Sequence, residues 1–264
     1  MYNSALGAVP VLEIQADFER EVLTPYLQFH EDPDGEINLD DILHNGAINY
    51  TTVKEKQASF GYTESVYWAR LKLENDRPRE IQLYLELVSL IDDVTIFIIN
   101  DQTTRTISYD RLDPLSMRSV RHRNFIYPVD LAPNSRSVII MRFASEGGML
   151  LPLTLWSKDA FAAKDHNEQI VYGLYFGIIA AMILYNLFVF FAVRSLSYLY
   201  YVLYISGFAL ILAGIWGFNH EYIFPEFPNA ANLALPLSVG FTCLFAVQFT
   251  RSFLRTKTSI PRWD

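Results

Sequence analysis

The chain has 264 residues, of which 51% are hydrophobic and 19% are charged, and its formal net charge is −8 at pH 7. Residues 1–168 contain 26 acidic and 16 basic residues, whereas residues 169–264 contain 3 acidic and 5 basic residues. The sequence therefore predicts an acidic domain followed by an apolar one. An acidic domain repels phosphate, which excludes nucleic acid as a partner, and the single Cys243 excludes an intrachain disulfide.

Residues 1–17 are predicted to be an N-terminal segment outside the folded domain. They lack the basic start and the sustained apolar run of a signal peptide. Because a large domain rarely crosses a membrane without such a leader, we expect the native N-terminus to lie upstream of Met1.

The stretch HEDPDGEINLDD, residues 30–41, resembles a calcium-binding loop in part. With Gly35 at position 6 of an EF-hand loop, position 1 falls on His30, which is a poor ligand for calcium. Asp32-Pro33-Asp34-Gly35 also has the residues of a type I turn, between a strand in LTPYLQFHE and another in EINL. We therefore predict a hairpin turn and no metal site. The candidates for weak calcium binding are Asp32, Asp34 and Glu36.

Residues 18–160 are predicted to form an all-β domain of the jelly-roll or β-sandwich type. They contain short segments of alternating apolar and polar residues, separated by turn signals such as NDRP, PNS and EGG. In residues 65–75 apolar and polar side chains alternate. We expect one face of this strand to point to the core, with Tyr67, Ala69, Leu71 and Leu73, and the other face to carry Trp68, Arg70 and Lys72.

A ligand-recognition face is predicted around Trp68 and Arg70. If the next strand pairs beside theirs, Tyr84 and Glu86 share the same face. An aromatic plane with a guanidinium and a carboxylate suits a sugar, an amino acid or another small polar molecule. The alternative is that Trp68 packs in a half-buried position and that the arginines are solvated. The remaining candidate ligand-binding residues are Asp92, Asp93, Arg121 and Arg123.

Asp92 and Asp93 are adjacent strand residues, so they point to opposite faces and cannot form a catalytic dyad. We predict that this pair accepts hydrogen bonds from a turn or from the backbone, with ligand binding as the alternative. Arg121 and Arg123, together with Arg118 and His122, form a cationic cluster that could hold an anion.

The sequence contains no nucleophile elbow, zinc-ligand motif or phosphate-binding loop. A glycosidase would need two carboxylates that converge across a cleft, and no such pair is indicated. We therefore expect neither enzyme activity nor a cofactor in this chain.

Three membrane spans are predicted after a juxtamembrane linker at residues 161–169. Each span is a long uncharged segment that can cross the hydrocarbon core as a helix. A tail, truncated at Asp264, follows them. The spans are residues 170–193, 198–217 and 231–250, and the tail is residues 251–264.

The basic residues predict the orientation of these spans. Arg194 lies between the first two spans and Arg251 follows the third, whereas the connection between the second and third has no Lys or Arg. The positive-inside rule then places the N-terminal domain in the periplasm and the tail in the cytoplasm of a bacterial inner membrane.

Small residues recur along the first span at Gly173, Gly177 and Ala181, a spacing that lets helices approach closely. We predict packing against other spans, with a dimer interface as the alternative. Asn186 lies at membrane depth and is expected to hydrogen-bond to a neighbouring helix.

The chain resembles the bacterial seven-transmembrane receptors with diverse intracellular signalling modules (7TMR-DISM). The resemblance rests on YLQFHEDPDGEINLDDIL, SVYWARLKLEN, SLIDDVTIF and HRNFIYPVDL, and in the apolar half on GLYFGIIAAMILYNLFVFFAVRSLSYLYYVLY and FTRSFL. It implies a carbohydrate-binding-like jelly roll, and helices that pass a signal to a cytoplasmic kinase, cyclase-like or phosphatase output. From the sequence we expect three of the seven helices in this chain and no output domain.

The resulting hypothesis is the sensor portion of a receptor in two-component or cyclic-di-GMP signalling. Its expected partners are the lipid bilayer, a small periplasmic ligand, and a second copy of the chain or a sensor kinase. The alternative is a membrane-tethered carbohydrate-binding, adhesion or protein-interaction module without signalling output.

Overall fold

A computed structural model describes residues 10–44, 48–55, 57–89, 91–100 and 103–254. The chain divides into two compact units. The first unit, called the sandwich domain below, comprises Met1–Asp113 and Met117–Ala163. The second, called the helical unit, comprises Pro114–Ser116 and Lys164–Asp264.

The β-structure lies in the sandwich domain. In chain order its strands are β1 (Val11–Glu13), β2 (Arg20–Val22), β3 (Gln28–Asp32), β4 (Ala58–Tyr62), β5 (Val66–Asn75), β6 (Ile81–Leu87), β7 (Asp93–Ile99), β8 (Thr104–Asp110), β9 (Phe125–Leu131), β10 (Ser135–Ala144), β11 (Gly148–Leu151) and β12 (Leu153–Ser157).

The strands form two larger sheets and one small one. The larger sheet has the order β1-β5-β10-β7-β8, and β3 pairs with the first half of β5 while β1 pairs with its second half. The second sheet has the order β2-β12-β6-β9, and β4 pairs with β11. The β1–β5 pair is parallel and the other pairs are antiparallel.

One hydrophobic core joins the two larger sheets. Tyr67 and Leu71 of β5 pack into the same cluster as Leu83 and Leu85 of β6, and their strands alternate between core-facing and outward-facing residues. The predicted all-β sandwich is confirmed. Alternation is a reliable signal here because each sheet buries one face against the other.

The sandwich begins before residue 18, where the sequence placed its start. Residues 11–13 form β1, and both Leu12 and Ile14 are buried in the core. Three residues are too short to be recognised from alternation, since the strand exists only through its pairing with β5.

The segment EINL is not the strand that the sequence predicted; it leads into a short helix, α1 (Leu39–His44). Asn38 Oδ1 accepts from the Asp41 backbone N–H at 3.0 Å, and Asp41 Oδ2 accepts from the Asn38 N–H at 3.1 Å. This reciprocal capping arrangement satisfies two donors at the helix start and favours helix over strand.

The predicted turn precedes α1, but it is not a hairpin turn, because a helix and not a second strand follows it. Asp32 ends strand β3, and its carboxylate accepts from the backbone N–H groups of Gly35 at 2.9 Å and Ile37 at 3.1 Å. Gly35 has φ +68°, a conformation that glycine adopts without steric cost. Strand β3 therefore occupies the position where an EF-hand would require its first helix.

Three long helices follow the sandwich: α2 (Lys158–Val193), α3 (Leu196–Ile215) and α4 (Pro228–Leu254). Within the part of the chain that the structure describes, these three are long and apolar enough to cross a membrane. A π-helical turn, Asn219–Ile223, lies between α3 and α4.

Residues 161–169, predicted as a linker, are helical and belong to α2. The hydroxyl of Ser157 accepts from the Ala160 N–H at 3.3 Å and caps the helix start. The residues from Lys158 to Lys164 are mostly good helix formers, so nothing interrupts the helix before the apolar segment.

Candidate functional site

The predicted ligand-recognition face is divided between the two sheets. Trp68 and Arg70 lie on β5, whose neighbours are β10, β3 and β1, whereas Tyr84 and Glu86 lie on β6, between β12 and β9. The condition for a shared face is therefore not met. The chain crosses from one sheet to the other between β5 and β6.

Buried Asn75 holds this crossover in place. Its Nδ2 donates to the carbonyl oxygens of Arg79 at 3.0 Å and Ala132 at 2.7 Å, and its Oδ1 accepts from the Arg77 N–H at 3.0 Å. These bonds fix the turn after β5, so that β6 starts in the opposite sheet.

Trp68 lies in a small second core rather than on an open surface. It is 2% exposed, packs in a cluster with Ile42 of α1 and Ile140, and stacks on Phe97 with ring centroids 6.3 Å apart. Its Nε1 has no hydrogen-bond partner in the described parts of the chain. Ile37, Leu39 and Ile48 pack against the same cluster, so these side chains and Ile42 cover the ring that was expected to stack on a ligand.

Arg70 lies beside Trp68 and makes internal contacts. Its Nη2 donates to Gln28 Oε1 at 2.7 Å, and its guanidinium carbon lies 4.2 Å from the centroid of the Tyr50 ring. This geometry is a cation–π contact supported by a hydrogen bond from the guanidinium to a neutral amide oxygen.

Asp92 and Asp93 both contact neighbouring protein groups. Asp92 Oδ2 accepts from the Ser145 hydroxyl at 3.0 Å and the Glu146 N–H at 2.9 Å, while its Oδ1 lies 3.3 Å from Arg111. Asp93 lies 3.6 Å from a guanidinium nitrogen of Arg142. These contacts support the interpretation that the pair is structural.

The side chains of the cationic cluster differ in burial. Arg118 is buried over the Phe125 ring at 4.3 Å, whereas Arg121 is exposed and Arg123 is half-buried. Burial lowers the pKa of Arg118, because the apolar surroundings disfavour the charged guanidinium.

Glu86 belongs to a buried network on the outer face of the second sheet. The carboxylate is 2% exposed and accepts from Trp156 Nε1 at 2.9 Å and Asn124 Nδ2 at 2.7 Å. The Asn124 N–H in turn donates to Nδ1 of buried His122 at 3.0 Å. Hydrogen bonds of this kind are needed to bury a carboxylate without a large energetic cost.

The first turn of α2 packs on this network. Phe161 is 6% exposed, and its ring lies 5.4 Å from Tyr84, 5.4 Å from His122 and 6.5 Å from Trp156, in edge-to-face arrangements. We call these side chains the junction cluster: Tyr84, Glu86, His122, Asn124, Ile126, Trp156 and Phe161.

Sequence reasoning assigned Tyr84 and Glu86 to ligand binding and missed the role of Phe161. The signal was present, since Ser157 follows a strand and precedes helix-forming residues that contain one phenylalanine. Only the packing shows that this phenylalanine belongs to the junction cluster on the outer face of the second sheet.

Among the described residues, the two glycines proposed for helix packing have no close neighbour, so the proposed packing stays a prediction. A Cβ built on Gly173 or Gly177 would meet no described atom within 4 Å, and Asn186 donates to the Met182 carbonyl of its own helix at 2.8 Å. Ala181 is exposed. The close approach is made by Gly207 of α3, where a Cβ would lie 2.5 Å from the hydroxyl of Thr242 in α4.

The candidate calcium ligands do not form a cation site in the region that is described. Asp32 is engaged by two backbone N–H groups, while Asp34 and Glu36 are exposed. No group of three or more His, Cys, Asp or Glu side chains is placed to hold a metal ion among the residues with assigned positions.

Two family models match the chain. The model described as 7TMR-DISM extracellular 2 matches residues 24–157, and the model described as 7TM diverse intracellular signalling matches residues 168–264. No curated protein matches the chain.

Several solved structures have a similar region, with low scores. A β-glucosidase from Kluyveromyces marxianus in complex with glucose is 10% identical with a TM-score of 0.28, and the match covers 50% of this chain and 16% of that chain. CsCBM6-3 from Clostridium stercorarium in complex with cellobiose is 14% identical with a TM-score of 0.20, covering 39% and 82%. Likeness at this level supports no conclusion about a ligand.

The family models agree with the architecture. The first coincides with most of the sandwich domain and the second with most of the helical unit. Since the first of these models alone matches half of the sequence, the chain belongs to the 7TMR-DISM family of membrane sensors.

Proposed function

We propose that this chain is the sensing portion of a bacterial membrane receptor. In this proposal the sandwich domain binds a small polar ligand, such as a carbohydrate, in the periplasm. The helices relay the binding event to a cytoplasmic output.

The observation that carries the proposal is the position of Phe161. Helix α2 runs without a break from Lys158 to Val193, and its first turn is part of the packing of the sandwich domain. A ligand that binds two arrangements of the junction cluster with different affinity shifts the population between them. Such a shift acts directly on the first turn of a membrane helix.

The packing of Phe161 is strong enough to couple α2 to the junction cluster, while the ligand supplies the free energy of the shift through its different affinity for the two arrangements. Removing a buried phenylalanine side chain costs about 3–5 kcal/mol, whereas moving a two-state equilibrium from 1:99 to 99:1 needs about 5.5 kcal/mol. The packing of Phe161 is therefore comparable in size to the free energy of a complete switch.

The test is hydrogen exchange on the full chain in lipid nanodiscs, with and without a panel of sugars, amino acids and Ca²⁺. We expect a compound that binds the sandwich domain to change exchange in residues 158–164 as well. Phe161→Ala should keep ligand binding and lose the change in α2. Phe161→Leu, which keeps an apolar side chain, serves if the alanine variant does not fold.

Phe188→Ala is the matched control, because Phe188 lies on the same helix and is 72% exposed. It should leave the exchange response unchanged. A compound that binds without any change in residues 158–164 would contradict the relay and favour the membrane-tethered binding module.

A further inference from the structure

A cleft of about 310 Å³ opens at one end of the sandwich domain. It lies where β6 begins, beside Asn100, Thr103 and the turn between β9 and β10. Ile98, Ala132 and Pro133 form its apolar side, and Glu80, Arg105 and Asp130 supply its charged groups. The sequence analysis singled out none of these residues, because they come from three strands (β7, β8 and β9) and from the turns before β6 and β10.

The size of the cleft limits what it can hold. Ligand pockets in proteins usually measure about 300–1,000 Å³, so this cleft is at the lower end. It fits one sugar ring or one amino acid, with the carbon skeleton against the apolar side and the polar groups toward the charged rim.

Two of the three charges in the cleft neutralise each other. Arg105 Nη1 lies 2.7 Å from Asp130 Oδ2, and Asp130 Oδ1 accepts from Gln82 Nε2 at 3.0 Å. Asp130 is thus engaged on both oxygens. Arg105 retains further N–H donors, because a guanidinium has five.

Glu80 is the charge that remains. Its side chain is exposed at the rim, and it makes neither a hydrogen bond nor an ion pair with any other residue whose position is described. The surrounding sequence is also acidic, since residues 1–168 carry 26 acidic and 16 basic side chains. The field at the cleft therefore attracts a cation and repels an anion.

We propose that this cleft binds a small molecule that carries an ammonium group next to an oxygen acceptor. The ammonium group pairs with Glu80 and the oxygen accepts from Arg105. Amino sugars and amino acids share this chemistry. The proposal rests on the proposed sensing function and names the ligand class and its site.

The test is calorimetry on the full chain in nanodiscs with glucosamine, a panel of L-amino acids, and glucose as the uncharged counterpart of glucosamine. We expect an ammonium-bearing probe to bind about tenfold more tightly than its uncharged counterpart, as for a charge-assisted hydrogen bond. Which arm binds distinguishes an amino sugar from an amino acid.

Glu80→Gln keeps the shape of the side chain and removes its charge, so it should weaken binding by about tenfold. Glu64→Gln is the matched control. Glu64 is exposed and precedes the start of β5, whereas Glu80 follows its end at Asn75. The two glutamates therefore lie at opposite ends of the sandwich, and the control should bind as the unmodified chain does.

Equal affinity for glucose and glucosamine, or full binding by Glu80→Gln, would overturn the assignment. So would the absence of binding by every ammonium-bearing probe. The sensing function and the cleft assignment can fail independently. A sugar that changes hydrogen exchange in residues 158–164, and whose affinity Glu80→Gln leaves unchanged, would contradict binding in the cleft and still support the sensing function.

Discussion

At the scale of single residues, side chains that suggested ligand binding prove to be held by internal contacts. Glu86 accepts from Trp156 and Asn124, and Trp68 is covered by the segment that contains α1. Residue type alone does not separate a binding side chain from a structural one. The partner atoms do, and those partners come from distant parts of the chain.

Asp32 and Asp34 provide a direct test at this scale. Asp32→Ala removes the acceptor of two backbone N–H groups and should lower the free energy of unfolding by about 1–3 kcal/mol. Asp34 is exposed and makes no side-chain hydrogen bond with the described residues, so Asp34→Ala should change it by less than about 0.5 kcal/mol. Thermal unfolding of the full chain in EGTA measures both.

The same unfolding experiment is repeated with Ca²⁺ in place of EGTA. If Ca²⁺ raises the unfolding midpoint, and Asp34→Ala removes this effect, the stretch binds calcium and the interpretation as a turn is incomplete. We expect the same midpoint in EGTA and in Ca²⁺.

At the scale of elements, glycines in two of the long helices differ in how closely a neighbouring helix approaches them. Gly207 lies against Thr242, whose hydroxyl also donates to the Ser238 carbonyl at 2.6 Å, whereas Gly173 has no described neighbour where a Cβ would point. Close packing of α3 on α4 therefore uses Gly207, and the stripe on α2 is open within this unit.

Gly207→Ala should destabilise the helical unit, because the new methyl group would lie within van der Waals distance of the Thr242 hydroxyl and force the helices apart. Overpacking of this kind costs about 1–3 kcal/mol. Gly173→Ala should be neutral or stabilising by up to about 1 kcal/mol, since alanine favours a helix interior. Thermal unfolding in detergent, followed by helical circular dichroism, gives both values. An equal loss in the two variants would show that the α2 stripe is also packed.

At the scale of the whole molecule, the predicted orientation of the chain follows from its charges. Arg194 follows α2 and Arg251 lies near the end of α4, whereas the connection between α3 and α4 has no Lys or Arg. From the positive-inside rule we predict that these ends lie in the cytoplasm and that the sandwich domain lies in the periplasm.

Cysteine labelling tests this orientation, because Cys243 is the only cysteine and can be replaced by alanine. In that background E64C should react with a membrane-impermeant maleimide on spheroplasts. S195C, in the connection between α2 and α3, should react only after permeabilisation. The reverse labelling pattern would contradict the proposed orientation.

The type of most long elements could be predicted from the sequence. Period-two alternation identified β5 and β6 with their core-facing side chains, and long uncharged segments identified three helices. Both signals are local, because they depend on whether the next few residues are apolar. Short elements such as β1 were not predicted, because they have too few residues to show a periodic pattern.

Tertiary structure alone decided which elements lie side by side. The placement of β6 in the second sheet separated Tyr84 and Glu86 from Trp68 and Arg70, and brought Phe161 onto the junction cluster. The cleft beside Glu80 likewise exists only where turns from both sheets meet. Sheet pairing depends on contacts between residues far apart in the chain, which no local pattern in a single sequence encodes.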